Sequence, residues 1–255
     1  MIDLSNKTIL VTGASKGIGA AIVQSLAAAK ANVIAHYCSD KAGMDDVVDS
    51  VGDASIVTFQ ADFRDPGAVH NLWEQSVNWR DGIDVLINNA AIIRFVGGID
   101  DPEDVWNETW DDTLAVNVMA PCNLMRHAVP HYRDNGGGII ISISSWVAHR
   151  GPGNPAMMAY SASKAAVMNA TKTIARHYAE DNIFTYSIAP GVVRTRMSEQ
   201  FAEAAGGEEK VTQALAMKEW IPPSDLANLA TFLSTGTCRH LTGATLDVNG
   251  ASYLR

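Results

Sequence analysis

The sequence predicts a single doubly wound α/β domain, in which a parallel sheet is covered by helices on both faces. Short apolar runs rich in β-branched residues alternate with longer stretches of helical period, which is typical of buried parallel strands joined by helices. No change of composition along the 255 residues marks a linker, and no repeat of fixed period is present. We therefore expect residues 1–255 to form one domain around one large core.

Seven runs have the length and composition of buried strands. They lie at residues 8–11, 32–37, 55–60, 85–88, 138–143, 184–188 and 245–248. Between the first two runs, apolar and small residues recur at helical spacing, which suits a helix packed closely on a sheet. The longest predicted helices lie at residues 110–126 and 160–179. The prediction is a Rossmann-type sheet of seven parallel strands.

Residues 194–223 do not follow this alternation. They are polar, are interrupted by Gly206 and Gly207, and carry scattered Met and Trp side chains such as Met217 and Trp220. Long insertions beside an α/β sheet are often mobile lids over a site. A surface helical hairpin without a ligand role is the alternative, and we favour the lid.

Composition restricts the partners of the chain. The net charge is −9 and no basic run is present, which disfavours binding to nucleic acid or to an anionic membrane surface. The first apolar run stops at Gly13 and is too short for a signal peptide or a membrane span. We expect a soluble cytoplasmic protein.

The sequence predicts neither disulfides nor a metal site. The three cysteines are far apart and form no C-x-x-C pair; they are Cys38, Cys122 and Cys238. His127 and His131 have the spacing of two ligands on one helix face. However, Pro130 lies between them and the H-E-x-x-H glutamate is missing, so a pair of histidines near a helix end is the better interpretation.

The stretch TGASKGIG at residues 12–19 joins the first strand to the first helix. A glycine-rich turn at this place lets the backbone approach a ligand and points free helical N–H groups at it, which suits a pyrophosphate. Three residues separate Gly13 from Gly17, a wider spacing than in G-x-G-x-x-G. Glycines also serve tight helix packing without any ligand, so this turn is only a moderate signal by itself.

Six motifs in order resemble those of the short-chain dehydrogenase/reductase family. They are TGASKGIG, NNAA at 88–91, Asn117 in a helix, ISISS ending at Ser145, YSASK at 160–164 and PGVVRT at 190–195. The resemblance extends to the ending LTGATLDVNG and covers essentially the whole chain. It implies an oxidoreductase that transfers a hydride between a nicotinamide cofactor and a carbonyl or alcohol.

Tyr160 and Lys164 lie four residues apart on a predicted helix, so their side chains share a face. An ammonium beside a phenol favours the phenolate and is expected to lower the pKa of the tyrosine. Such a pair alone is usually a solvated helix surface. The family resemblance implies instead that Tyr160 is the general acid/base, that Lys164 also holds the nicotinamide ribose, and that Asn117 holds a water linking Lys164 to solvent.

The same resemblance implies a serine that hydrogen-bonds the substrate oxygen. Ser145 precedes Tyr160 by 15 residues, whereas the commoner family spacing is 13, so the choice lies among Ser142, Ser144 and Ser145. Strand alternation places Ser142 and Ser144 on one face. The family pattern has the catalytic serine at the end of the run, and we favour Ser145, with Ser144 second.

The resemblance also implies a set of cofactor contacts. They are Gly13, Ser15, Lys16, Gly17, Ile18, Gly19, Tyr37, Ser39, Asp62, Asn89, Ala90, Tyr160, Lys164, Pro190, Gly191, Val193 and Thr195. Asp62 would lie beside the adenine; its alternative role is a helix N-cap. Ala91 replaces the glycine of the usual NNAG, a variant that we treat as tolerated.

We expect NADP rather than NAD as the cofactor. An acidic residue at the end of the second strand would bind the ribose 2′-hydroxyl of NAD, but Tyr37 stands there. Lys16 and Ser39 could bind a 2′-phosphate through charge-assisted hydrogen bonds. The nearby Asp40 weakens this case, and Lys16 could be a solvated loop charge.

The residues expected to face the substrate lie at 92–96 and 146–158 and in the lid, and they are mostly apolar. Arg94 and Arg150 could hold an anionic group, or could lie in surface ion pairs. The leading hypothesis is an NADP-dependent carbonyl reductase or alcohol dehydrogenase, with a 3-oxoacyl thioester reductase in its range. The rival is a catalytically silent cofactor-binding or scaffold protein. The family resemblance further implies a homo-oligomer, a tetramer or a dimer.

Overall fold

The computed structural model describes residues 2–80 and 82–254. Seven parallel strands form one sheet in the order β3-β2-β1-β4-β5-β6-β7. The strands are β1 (Thr8–Val11), β2 (Asn32–Tyr37), β3 (Ile56–Gln60), β4 (Val85–Asn88), β5 (Gly138–Ile143), β6 (Ile183–Pro190) and β7 (Thr245–Val248). The predicted seven-stranded parallel sheet is confirmed. Five strands have the predicted bounds, β3 starts one residue later, and β6 is longer at both ends.

Helices cover both faces of this sheet. They are α1 (Gly17–Ala28), α2 (Lys41–Val51), α3 (Pro66–Arg80), α4 (Glu103–Leu114), α5 (Ala120–Asp134), α6 (Met158–Tyr178), α7 (Arg196–Ala204), α8 (Glu208–Ala214) and α9 (Pro223–Ser234). Because side chains alternate along a strand, Ile9 and Val11 of β1 belong to the same apolar cluster as Leu226 of α9, whereas Leu10 belongs to the cluster of Leu124 of α5. The two apolar faces of the sheet are thus both buried.

The helix predicted at 110–126 is part of a longer helical stretch. A π-helical turn, Ala115–Met119, joins α4 to α5, and Asn117 lies within it. Pro121 follows at the start of α5 and has no N–H for the carbonyl of Asn117, four residues earlier, to accept. The i→i+4 hydrogen bond of an α-helix therefore cannot form at the Asn117 carbonyl.

Residues 194–223 fold into the helix pair α7 and α8, with Gly206 and Gly207 at positive φ between them. The pair has a small apolar cluster of its own: Val192, Ala202, Val211, Leu215 and Trp220. The first turns of α7 also line the large cleft described below. The segment is thus a helical pair that borders the cleft, and its movement as a lid stays a prediction.

The cysteines and His131 are not used as disulfides or as metal ligands in the described part of the chain. Cys38, Cys122 and Cys238 are free thiols. The described residues hold no group of three or more metal-ligating side chains. His131 Nε2 accepts a hydrogen bond from the N–H of Ile83 at 3.1 Å. Within residues 2–80 and 82–254 no helix combines the length and apolarity of a membrane span.

Candidate active site

A cleft of about 760 Å³ lies at the carboxyl ends of the strands. Gly13 follows β1 and Ala90 follows β4, and both residues line it. The strand order reverses between β1 and β4, which is the place where open α/β sheets bind their ligands. From there the cleft runs in one direction to the ends of β2 and β3, and in the other to Ser145 and Tyr160.

The glycine-rich turn is shaped by close packing. Gly13 and Gly17 have φ of +65° and +57°, a conformation that glycine adopts readily. A methyl group on Gly13 would lie 2.8 Å from Cα of Ala90, and one on Gly19 would lie 2.1 Å from the carbonyl oxygen of Gly13. Gly13 and Gly19 are therefore needed for protein packing, whatever the ligand.

The same turn ends at the open N-terminus of α1. Lys16, the N-cap residue, makes no capping hydrogen bond through its side chain, and the first turn of the helix holds no acidic residue. The first N–H groups of a helix have no partner inside the helix and carry partial positive charge. The start of α1 is thus chemically suited to an anionic group such as a pyrophosphate.

Thr12 and Asn89 join the first turn to the segment after β4. Thr12 Oγ1 accepts hydrogen bonds from the N–H groups of Asn89 and Ala90, each at 3.0 Å. Asn89 Nδ2 donates to the carbonyl oxygens of Thr12 and Gly13 at 2.8 and 3.0 Å. These four bonds fix the two loops that meet at the switch point.

The structure does not bring Tyr37 to the cleft. Its side chain is buried in the core on the α1 side of the sheet. Because neighbouring strand residues face opposite sides, His36 lines the cleft instead, and Ser39 follows at its edge. Sequence position identified the end of the strand, but Tyr37 itself points away from the expected ligand.

Lys16 forms an ion pair with Asp40, an acidic residue that disfavours binding of a 2′-phosphate. Its Nζ lies 3.3 Å from Oδ2 of Asp40, and both side chains are at least a third exposed. The N–H of Gly43 is the main cause that holds the pKa of Asp40 below its usual value, and Lys16 adds to it. An exposed pair of this kind is weak, so Lys16 can exchange Asp40 for another anion at little cost.

Asp62 lines the cleft beyond the end of β3. Nε of Arg64 lies 3.0 and 3.1 Å from its two carboxylate oxygens, and this guanidinium is the main cause that lowers the pKa of Asp62. The alternative role of Asp62 as the N-cap of α3 is wrong: Asp65 accepts the N–H of Gly67 at 2.8 Å. Arg64, which the sequence interpretation missed, also lines the cleft.

Tyr160 and Lys164 lie together on α6 at the other end of the cleft. Lys164 Nζ lies 5.7 Å from the centre of the Tyr160 ring and donates to the carbonyl oxygen of Ile143 at 2.8 Å. Burial raises the pKa of Tyr160 to about 12, against a lowering by a hydrogen bond with Ser145. Burial also lowers the pKa of Lys164 to about 8.

These shifts run against the expectation that Lys164 would lower the pKa of Tyr160. Loss of water disfavours both the phenolate and the ammonium, and this effect dominates here. The phenol therefore holds its proton at neutral pH.

The three candidate serines differ in what their hydroxyl groups contact. Ser142 Oγ lies 2.8 Å from Oγ1 of Thr171, and Ser144 Oγ donates to the carbonyl oxygen of Lys164 at 3.0 Å. Both therefore face α6, as the strand alternation indicated. Ser144 and Ser145 both line the cleft; Ser145 Oγ accepts the N–H of Val147 at 3.4 Å, and it is the serine whose hydroxyl lowers the pKa of Tyr160.

Asn117 is buried behind the cleft rather than in its lining. Its Oδ1 accepts the N–H of Ile92 at 2.8 Å, and its Nδ2 donates to the carbonyl oxygen of Ile92 at 2.9 Å and to Ser163 Oγ at 3.1 Å. The side chain thus ties the segment after β4 to α6.

The two candidate anion-binding arginines differ in their surroundings. Arg94 lines the cleft but is paired with Glu108, at 3.2 Å, and with Asp112. The guanidinium of Arg150 lies over the rings of Trp146 and Tyr253, 4.7 and 5.3 Å from their centres. Arg94 is therefore largely neutralised by the protein, and Arg150 is held by aromatic rings.

The remaining residues predicted to contact a cofactor line the cleft, and their contact with a cofactor stays a prediction. They are Ser15, Lys16, Gly17, Ile18, Gly19, Ser39, Asn89, Pro190, Gly191, Val193 and Thr195. Sequence reasoning gave no cleft role to His36 or Arg196, which line it as well. Their signal was a polar residue inside an apolar strand and a basic residue directly after the PGVVRT motif.

Comparison with known proteins supplies an independent test. Residues 13–251 match a family described as enoyl-(acyl carrier protein) reductase. The chain is 33% identical over 99% of its length to human dehydrogenase/reductase SDR family member 4, covering 89% of that protein. It is 31% identical over 97% of its length to the 3-oxoacyl-[acyl-carrier-protein] reductase of Staphylococcus aureus, covering 98% of that protein.

Solved structures of similar proteins share the whole fold. A short chain dehydrogenase from Burkholderia cenocepacia, in complex with NADP, superposes with a TM-score of 0.86 at 32% identity, with 98% of each chain covered. A putative NAD(P) dependent gluconate 5-dehydrogenase from Beutenbergia cavernae gives 0.89 at 30% identity, with the same coverage. The fold and these matches define a nicotinamide-dependent oxidoreductase. The chain belongs to the short-chain dehydrogenase/reductase family.

Proposed function

We propose that this protein is an NADP-dependent carbonyl reductase or alcohol dehydrogenase in which Tyr160 is the general acid/base. One observation carries the proposal: Tyr160, whose pKa is raised to about 12 by burial, lines the same cleft as Ser145 and the open N-terminus of α1. A proton donor and an anion-binding helix end in one cleft suit chemistry on a substrate held beside a dinucleotide.

The residues present fit a nicotinamide dinucleotide. Main-chain N–H groups at the start of α1 would hold the pyrophosphate, with Thr195 across the cleft, where its methyl group lies 3.1 Å from the position of a Cβ on Gly17. Asp62 would lie by the adenine and Lys164 by the nicotinamide ribose. When bound, the nicotinamide supplies or accepts the hydride.

The protein residues manage the proton. In reduction, Tyr160 donates its proton to the carbonyl oxygen, and the Ser145 hydroxyl donates a hydrogen bond to the same oxygen as negative charge develops on it. The raised pKa of Tyr160 keeps this proton in place before reaction. The carbonyl of Asn117, which Pro121 cannot serve as the i+4 donor, would hold the water that connects Lys164 to solvent.

Substitution of the catalytic side chains tests this assignment. NADPH oxidation is measured with a panel of ketones and 3-oxoacyl thioesters, the latter because the S. aureus relative is named for that reaction. Tyr160→Phe should lower kcat by about 10² or more, and Ser145→Ala by a similar factor. Ser144→Ala is the matched control and should keep most of the activity. If Ser144→Ala lost activity and Ser145→Ala kept it, the assignment would be wrong.

The preference for NADP rests on the charge at the cleft edge. Lys16 and Ser39 lie there and Tyr37 brings no acid, while the Burkholderia relative was solved with NADP. Lys16→Ala should lower kcat/KM for NADPH about tenfold and leave that for NADH unchanged. Lys7→Ala is the control, since Lys7 forms a similar pair with Asp84, at 3.1 Å, outside the cleft. An NADH efficiency equal to or above that for NADPH would refute the preference.

The rival function is a cofactor-binding protein without catalysis. It would bind NADPH but reduce nothing in the panel, and Tyr160→Phe would change no rate. We also propose a cytoplasmic homo-oligomer, a tetramer or dimer. Leu114 and Met119, on the long helical stretch, are 37% and 55% exposed apolar side chains that such an assembly would cover. Light scattering that gave a monomer at micromolar concentration would contradict it.

A further inference from the structure

His36 is a buried polar side chain in the middle of the cofactor cleft, with 2% of its surface exposed. Its Nδ1 accepts the N–H of Gly13 at 3.1 Å, and its Nε2 lies 3.0 Å from the carbonyl oxygen of Ala61. A backbone N–H can only donate and a carbonyl can only accept. The ring is therefore the neutral tautomer with its proton on Nε2.

Two further contacts fix this ring and the turn beside it. The ring stacks on Phe63 with 4.2 Å between centres and 2° between planes. The carbonyl oxygen of His36 accepts the N–H of Ala14 at 2.7 Å. Residue 36 thus accepts hydrogen bonds from the N–H groups of both Gly13 and Ala14, just before the start of α1.

The segments that His36 joins lie at opposite sides of one ligand site. Gly13 belongs to the turn at the pyrophosphate position, whereas Ala61 and Phe63 flank Asp62, the residue expected beside the adenine. A dinucleotide that spans both must find them at a fixed separation. Burial lowers the pKa of His36 to about 4, so this link is permanent at neutral pH.

We propose that His36 is a positioning residue for the dinucleotide. It sets the affinity for the cofactor by holding the glycine-rich turn against the end of β3, and it does not contact the reacting atoms. This inference rests on dinucleotide binding in the cleft, and on neither the substrate nor the preference for NADP.

Two polar substitutions separate the two hydrogen bonds. His36→Asn places an amide oxygen near the position of Nδ1 and can still accept from Gly13, but it is too short to reach Ala61. His36→Gln reaches toward Ala61 as a donor and leaves the N–H of Gly13 without an acceptor. His36→Leu removes both bonds. His131→Asn is the control, because His131 accepts a backbone N–H in the same way at 3.1 Å but lies outside the cleft.

The readouts are the Kd of NADPH, from fluorescence titration of the full-length protein, and kcat at saturating NADPH, with Tm beside them. We expect His36→Leu and His36→Gln to raise Kd about tenfold with kcat unchanged, and His36→Asn to recover most of the affinity. His131→Asn should lower Tm and leave Kd unchanged.

The outcomes that count against the inference are distinct from failure of the proposed function. If the wild type binds NADPH and every folded His36 variant binds it equally well, His36 is only structural and the inference is wrong. If the wild type binds neither NADPH nor NADH, the proposed function fails and the inference with it. Should His36→Leu not fold, the comparison of His36→Asn with His36→Gln decides: equal Kd values would overturn the inference.

Discussion

Acidification should destabilise this protein through His36. Burial lowers its pKa from 6.5 to about 4 in the folded state. As the pH falls from 6.5 to 4, the unfolded chain takes up a proton on this residue and the folded protein does not, so the free energy of unfolding decreases. Below pH 4 both states are protonated and the effect saturates. At 1.36 kcal/mol per pKa unit, the loss attributable to His36 is about 3 kcal/mol.

The assay is urea unfolding of wild type and His36→Asn at several pH values between 7 and 4. Asp40 and Asp62, whose pKa values are lowered, also contribute to acid destabilisation. These charges are present in both proteins, so their effect cancels in the comparison. Wild type should lose about 3 kcal/mol more than His36→Asn over this range, with unchanged m values. Equal losses in both proteins would refute a neutral buried His36.

Two further substitutions test the frame of the cleft. Thr12→Val should lower the free energy of unfolding in urea by about 2 kcal/mol or more, because the N–H groups of Asn89 and Ala90 lose their acceptor. Thr12→Ser keeps the hydroxyl and should stay within about 1 kcal/mol of wild type. Equal stability of the Val and Ser variants would contradict this. Phe201 of α7 contacts Phe95, which lies in the segment after β4, and their ring centres are 6.4 Å apart. Phe201→Ala should therefore raise the substrate KM a few-fold and leave the Kd for NADPH unchanged. Phe232→Ala, on α9, is the matched control and should change neither the substrate KM nor the Kd for NADPH. If Phe201→Ala left the KM unaltered, this contact would have no role in holding α7 over the cleft.

The fold was predictable because strands buried on both faces are continuous apolar runs. The bounds of β6 were the least well predicted, since Ala189 and Pro190 look like the start of a loop. Pro190 closes the strand at its carboxyl end, where the next N–H, of Gly191, continues the ladder to Val248 at 2.9 Å. The π-helical turn at Asn117 was equally invisible, because helical periodicity does not show a single lengthened turn.

The location of the site was predictable, but its electrostatics were not. Motif spacing places Tyr160 and Lys164 on one face of α6, and the structure has them there. Spacing contains no information on desolvation, and burial of both groups reversed the expected direction for the pKa of Tyr160. For the same reason the orientation of Tyr37 and the pairing of Arg94 with acids could only be seen in three dimensions.

Many motif residues build the cleft by binding one another. Thr12 and Asn89 join two loops, and the Asn117 side chain ties Ile92 to α6. Replacing such a side chain costs as much as replacing one that touches a ligand, because its removal leaves buried polar groups without hydrogen-bond partners. Sequence motifs of this family therefore report the construction of the site as much as its chemistry. His36 makes the same kind of contact outside any motif, so the assembly of a dinucleotide site extends to residues that motif spacing does not reveal.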